Sequence, residues 1–392
     1  MEFAPTTAAK ADDSWLRKEE SGVSGSRRAL QDLFAPAGLR LDGDAPWDPK
    51  VHDERFCSRV LACGSLGLGE SYVDGWWDCE EIETFFYRLL SAGVPQSFHP
   101  WRELPRIALA RLTNAGRRSK AFEIGERHYD LGNDLYETML DRRMTYSCGY
   151  WTGARNLDEA QEAKLDLVCR KAGLKPGMRV LDIGCGWGSL AAFAAERYGV
   201  SVVGITVSKQ QIELGRQRTA GLPVELLLQD YRDLAGTFDA IVSVGMFEHV
   251  GHRNYRTFFD VARRCLAPSG VFVLHTIGTR QSVVSCDPWI EKYIFPNSHV
   301  PSMAQIAAAL ENRFVIEDWQ NIGPHYEPTL MAWSSNVRAG WERLRARYTD
   351  RFYRLWSYYL RACAGSFRAR YNDVWQLVLS REGLPGGYEA VR

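Results

Sequence analysis

The sequence predicts an α/β protein, with a doubly wound parallel sheet domain preceded by a smaller, mostly helical α+β unit. Three observations carry this. Apolar runs of strand length alternate with helix-length amphipathic segments from Asn156 to His275, the order that strand-helix-strand crossovers impose on a parallel sheet. The run Val180-Leu181-Asp182-Ile183 passes into Gly184-Cys185-Gly186-Trp187-Gly188 and then into Ser189-Leu190-Ala191-Ala192-Phe193, which reads as strand, tight turn and helix start. The 392 residues exceed one domain of this kind and leave enough chain for a further unit with its own core.

Residues 1–26 are small and polar, with Lys10, Asp12, Asp13, Lys18, Glu19 and Glu20, and are expected to be a flexible terminus. Residues 27–97 form the smaller unit. Helical spacing covers 28–37 and 49–63, and glycines over 64–72 predict a loop-rich centre. Trp76, Trp77, Phe85, Phe86 and Tyr87 are expected to form its core. Residues 98–122 set Arg102, Arg106, Arg111, Arg117, Arg118 and Lys120 against Trp101, Leu104, Ile107, Leu109 and Leu112. That spacing makes a basic linker helix, suited either to an anionic membrane surface or to packing on its own protein.

The sheet domain occupies 123–392. Helices are expected over 158–172, 189–198, 209–220 and 255–266, with strands over 178–183, 200–206, 224–229, 238–244 and 270–275. A helix over 301–312 and a strand over 314–321 follow. Residues 329–369 read as one helical stretch rich in Trp, Tyr, Phe and Arg, and 373–379 as a last edge strand.

Lysine plus arginine equals aspartate plus glutamate, 48 each, so no global charge favours a nucleic acid or another polyanion. Nine cysteines without a C-x-x-C pair or Cys/His metal spacing, in a chain opening without an apolar leader, predict reduced thiols, no bound metal and a cytoplasmic setting. No apolar run approaches the roughly 18 residues of a membrane helix. Contact with a bilayer is therefore expected to be peripheral.

The glycine loop narrows the chemistry. A dinucleotide fingerprint would place its third glycine where Ser189 stands and an acid at the end of the next strand, but that strand ends at Thr206. The G-x-G-x-G spacing is that of S-adenosylmethionine-dependent methyltransferases. In an open α/β sheet, ligands bind beyond the carboxyl ends of the strands. This rule gathers Thr206 and Gln211, Asp230 and Tyr231, Glu248 and His249, and His275. An acid such as Glu248 in a post-strand loop is costly to bury without a task or partner. The segments His128 to Tyr136 and Met144 to Trp151, dense in aromatic and polar residues, are expected to form a lid.

Together, His128 to Tyr136, Tyr146-Ser147-Cys148, Val180 to Gly188, Gln229 to Leu234, Met246 to Gly251, His275 to Gly278 and Asp287 to Asn297 resemble bacterial cyclopropane-fatty-acyl-phospholipid synthases. The resemblance continues through Gly64 to Trp77 and Ala362 to Arg370, leaving out only about the first 25 residues. It implies a Rossmann-like class I methyltransferase domain behind an N-terminal lipid-binding domain. The implied reaction moves a methylene from S-adenosylmethionine to a cis double bond in an acyl chain of a membrane phospholipid. Bicarbonate is the implied base, held by Cys148, Glu248, His275, the backbone of Ile277 and Tyr326. Tyr326, Cys148, the Ile277 amide and a suitably protonated His275 can donate to it, and Glu248 can accept its hydroxyl. The implied cofactor residues are Tyr146, Ser147, Asp182, Gly184, Gly186, Gly188, Thr206, Val207, Gln211, Tyr231 and Arg232. A homodimer on the inner face of the membrane is the implied setting. Gly149 departs from a common alanine, and prolines 324 and 328 flank Tyr326. A methyl-branching lipid C-methyltransferase and a catalytically silent lipid-binding protein of the same fold are the alternatives.

Overall fold

The computed structural model describes residues 25–94, 132–283 and 286–392. The linker helix at 98–122 and the first four residues of the His128 motif fall outside these limits. Helix α1 (25–34) opens the smaller unit. Its last turn tightens into Ala35–Ala37, and Gly38 ends it in left-handed backbone with φ 66°. Strand β1 (Lys50–Val51), helix α2 (Arg55–Val73), strand β2 (Trp77–Asp78) and helix α3 (Ile82–Ser91) follow, with β1 and β2 paired antiparallel.

The helix expected at 49–63 and the loop expected at 64–72 are both corrected. Residues 50 and 51 are strand, and α2 runs from Arg55 through the glycines to Val73, kinked at Gly64 (φ 57°, ψ −133°). These glycines serve packing rather than turning. A Cβ at Gly67 would fall 2.3 Å from the Arg59 carbonyl oxygen, and one at Gly69 2.4 Å from the Trp289 ring. Of the five aromatics expected in this core, Trp77 and Phe85 are fully buried. Trp76 is half-buried with the guanidinium carbons of Arg55 and Arg59 at 4.5 and 4.8 Å from its ring.

The larger unit contains α4 (Asn133–Met139), α5 (Leu157–Lys171), β3 (Arg179–Ile183), α6 (Ser189–Tyr198), β4 (Ser201–Thr206), α7 (Lys209–Arg218), β5 (Val224–Leu228) and β6 (Phe238–Val244). After them come α8 (Tyr255–Cys265), β7 (Leu266–Thr279), α9 (Pro288–Tyr293), α10 (Met303–Leu310), β8 (Val315–Asn321), α11 (Tyr326–Leu344), α12 (Asp350–Arg368) and β9 (Asn372–Ser380). The seven strands form one sheet in the order β5-β4-β3-β6-β7-β9-β8. The run from β5 to β7 is parallel, while β9 is antiparallel to both neighbours. The sheet is thus mixed, and β9 is not the edge strand that its terminal position suggested. Residues 373–380 of β9 are buried without alternation, the pattern of a strand covered on both faces. The single helix expected over 329–369 is two. Thr349 stops one and caps the next, its hydroxyl accepting from the Phe352 amide, as a favoured N-cap residue does.

Helix α12 joins the two units. Arg351 pairs with Asp74, Arg354 with Asp78 at 2.8 Å, and Arg361 with Glu83 at 2.7 Å. Gly365 lets the helix close on α3, since a Cβ there would meet the Glu83 carbonyl at 2.4 Å. Buried side chains from Leu30 to Leu89 share one apolar cluster with Tyr136, Trp333, Trp356, Tyr359 and Phe367. Two further clusters cover the sheet. The reversal of strand order between β3 and β6 leaves a crevice at their carboxyl ends.

Candidate active site

One cavity opens in that crevice. Ten of the eleven expected cofactor residues line it: Tyr146, Ser147, Asp182, Gly184, Gly186, Thr206, Val207, Gln211, Tyr231 and Arg232. Gly188 does not. It begins α6 in left-handed backbone, and a Cβ there would lie 3.0 Å from Thr219, so it serves helix packing. At Gly186 (φ 55°) an added Cβ would meet nothing within 4 Å; it would enter the cavity itself.

Charge concentrates at one end of this cavity. Asp182, at the end of β3, is buried with Oδ2 unpartnered, and burial raises its carboxyl to about 7. Lys164 also lines the cavity, fully buried, and donates from Nζ to Ser147 Oγ at 2.7 Å. Burial lowers its ammonium to about 8. Beyond β4, Ser208 caps α7, and Thr206 donates to Gln211 Oε1 at 2.9 Å. After β5, Asp230 accepts from the Arg232 amide and pairs with its guanidinium, which lies 4.8 Å from the Tyr231 ring. This end can hold an ammonium and a carboxylate, and its aromatic and amide side can hold a ribose and a base.

The five residues expected to hold an anionic base do not line this cavity, and two of them, Cys148 and Glu248, adjoin its wall. Cys148 follows Ser147, and Glu248 stands between Met246 and His249, all three of which line it. Glu248 lies in the 3-10 turn after β6. Its Oε1 accepts from the Ile277 amide at 2.6 Å, while Oε2 is buried without a partner. Burial raises this carboxyl to about 7. His275, on β7, is buried with Nδ1 3.2 Å from Gln376 Nε2, and desolvation keeps the ring neutral.

Cys148 is fully buried near the Gly149 and Ile322 carbonyls, 3.3 and 4.0 Å away, and burial holds it as a thiol. Tyr326 opens α11 and packs on Phe367 and Trp333, at ring separations of 4.5 and 5.9 Å. The strap carrying Cys148 is fastened to the start of α11. Thr329 Oγ1 takes the Gly149 amide at 3.1 Å and the Trp151 indole at 2.9 Å, and His325 Nδ1 takes the Trp151 amide at 3.1 Å.

The described part of the aromatic segments expected as a lid, 132–136 and 144–151, packs as a wall. Tyr136 is fully buried against Trp187 at 4.9 Å and Tyr146 at 5.3 Å, and Tyr146 meets Trp333 at 5.2 Å. Tyr146 and Tyr359 share a hydroxyl-hydroxyl hydrogen bond of 2.9 Å. Phe295 then bridges from Tyr359 (5.9 Å) to His249 (5.8 Å). The two halves of the site are therefore connected through rings.

Sequence reading missed Lys164 and Gln376, and gave Met246 only as the start of a motif. For Lys164 the signal was present, because Leu157, Gln161, Lys164, Val168 and Lys171 share the buried stripe of α5. Among the described residues, no group of three His, Cys, Asp or Glu side chains is placed to hold a metal ion, and no helix is long and apolar enough to cross a membrane.

Residues 116–377 match the family model for mycolic acid cyclopropane synthetase. The chain is 50% identical over 382 residues to the cyclopropane-fatty-acyl-phospholipid synthase of Escherichia coli (strain K12), covering 97% of each chain. It is 34% identical over 358 residues, 85% of this chain and 82% of the relative, to tuberculostearic acid methyltransferase UfaA1 of Mycobacterium tuberculosis. Among solved structures it resembles the mycolic acid cyclopropane synthase CmaA1 complexed with SAH and CTAB. That match has a TM-score of 0.62 and 36% identity, over 66% of this chain and 98% of that one.

Proposed function

We propose that this chain, which belongs to the family of the cyclopropane-fatty-acyl-phospholipid synthases, acts on unsaturated acyl chains of membrane phospholipids with bicarbonate as its general base. The coarser activity is that of the family: S-adenosylmethionine-dependent methylene transfer to an unsaturated lipid. The observation that carries the finer reading is Glu248, a buried carboxylate with one oxygen committed to the Ile277 amide and the other unpartnered.

The cavity fits the cofactor. Asp182 offers an unpartnered oxygen to its ammonium, Lys164 a cation to its carboxylate, and Gly186 leaves room for its chain. When bound, S-adenosylmethionine supplies an electrophilic methyl group on sulfur. The double bond of an acyl chain is a weak nucleophile, and its attack leaves positive charge on carbon, so the protein must exclude water and shield that charge. Tyr146, which lines the cavity, is the candidate face for both.

Ring closure requires removal of one proton, and a bicarbonate held by the five expected residues would be the base that takes it. Cys148, kept as a thiol, is a donor to that anion rather than a nucleophile. Tyr326 and the neutral His275 each add one N–H or O–H, and Glu248 accepts the anion's hydroxyl and orients it. Peripheral contact with the inner face of the membrane and assembly as a homodimer complete this reading. Residues 98–122 are its candidate contact with lipid phosphates.

The test is to incubate the chain with S-adenosylmethionine and vesicles of monounsaturated phospholipid. One methylene should be gained per double bond, with upfield cyclopropane proton signals. A retained methyl branch would favour activity like that of the 34%-identical methyltransferase. No gain in mass would refute the reading.

A further inference from the structure

A row of polar side chains crosses the β7-β9-β8 half of the sheet and ends on His275. In register, His275 of β7 stands opposite Gln376 of β9, and Gln376 opposite Gln320 of β8. Directly paired residues place their side chains on the same face. Lys171, fully buried on α5, closes the row by donating from Nζ to Gln320 Oε1 at 2.7 Å, with Asp318 at 3.8 Å. Gln376 is itself fully buried between Trp375 and Leu377, where a polar side chain without a task is expensive.

The geometry points to Gln376 as the residue that sets the tautomer of His275, holding its single proton on Nε2 so that the ring donates into the site. Gln376 Nε2 lies 3.2 Å from His275 Nδ1. An amide nitrogen can only donate, so Nδ1 must be the bare, accepting nitrogen. The hydrogen bond made by one ring nitrogen decides which nitrogen carries the proton. The remaining amide oxygen of Gln376 is buried without a partner. Turning the amide around would strand its N–H groups instead, and orphaned buried donors are rarer than underused carbonyls. Gln376 is thus a positioning residue, acting on the reaction only through His275.

This inference rests on the reading of His275 as a donor to the bound base, and the two can fail separately. The full chain, labelled with 15N-histidine, is examined by two-bond proton-nitrogen correlation. The His275 signal is identified by its loss in His275→Asn or by its movement in Gln376→Met and Gln376→Glu. The wild type should show a protonated Nε2 and a bare Nδ1. In Gln376→Glu, a carboxylate accepts from the ring, the proton moves to Nδ1, and kcat should fall on the order of 10- to 100-fold with unchanged affinity for S-adenosylmethionine. Gln376→Met, which imposes neither tautomer, should fall between. A wild-type ring protonated on Nδ1, or a Gln376→Glu variant whose ring proton has moved to Nδ1 with undiminished kcat, overturns the inference. Nε2 protonation together with turnover indifferent to bicarbonate would leave the positioning role standing and remove the base instead.

Discussion

Glu248→Gln should make the protein more tolerant of alkaline pH while removing most of its turnover. Burial raises the Glu248 carboxyl from 4.5 to about 7. Below the lower value it is protonated in both the native and unfolded states and contributes no difference. Between the two, the unfolded chain releases a proton that the native state keeps, so stability falls as pH rises. Above about 7 the loss is complete. At about 1.4 kcal/mol per pKa unit, the penalty is about 3 kcal/mol at pH 8, and between pH 5 and pH 8 it grows by about 2 to 3 kcal/mol.

Glutamine retains an oxygen for the Ile277 amide, which Glu248 now holds at 2.6 Å, but cannot ionise. Its amide group in place of the unpartnered Oε2 adds a penalty independent of pH. The informative quantity is therefore the change with pH. Denaturant titrations of both proteins at pH 5 and pH 8 should show the variant gaining about 2 to 3 kcal/mol on the wild type across that range. Turnover should collapse with nearly normal S-adenosylmethionine binding. Identical pH dependence in the two proteins would refute the argument that this carboxylate is held dry.

Gly186→Val places its side chain in the cavity, where a Cβ now meets nothing within 4 Å, so calorimetry should find S-adenosylmethionine binding lost while circular dichroism stays native. Cys148→Ser keeps a donor in the same place and should retain part of the activity; complete inactivity with a cofactor methyl on the wild-type thiol, seen by mass spectrometry, would mean a nucleophilic cysteine. Gly69→Ala drives a Cβ to 2.4 Å from Trp289, an overpacking that should lower unfolding stability by about 1 to 3 kcal/mol.

The strands and helices of the sheet domain were legible because their periods are local, and part of the candidate cavity because Thr206, Gln211, Asp230, Tyr231 and His249 sit beyond strand ends. Lys164 escaped because a lysine is read as exposed, although the stripe of α5 places it inside. The glycines at 64–72 misled for a different reason. Gly69 answers to Trp289, more than two hundred residues away, and no local pattern records that contact. The place of β9 is likewise a matter of sheet order; only the apolar residues on either side of Gln376, Val374-Trp375 and Leu377-Val378-Leu379, hinted at cover on both faces. The proposed anion-holding set came from motif resemblance, since Cys148, Glu248, His275 and Tyr326 lie on four separate segments that no spacing connects. Gln376 lay within an apolar strand, and its meaning depends on the register that sets it opposite His275.

The most direct test of the central claim is the rate of cyclopropane formation by the wild-type chain on vesicles in bicarbonate-free buffer under a carbon-dioxide-free atmosphere, followed as bicarbonate is restored. The account predicts low turnover that rises to saturation with bicarbonate, while S-adenosylmethionine binding stays constant throughout. Full turnover without bicarbonate would contradict it and leave Glu248 itself as the base.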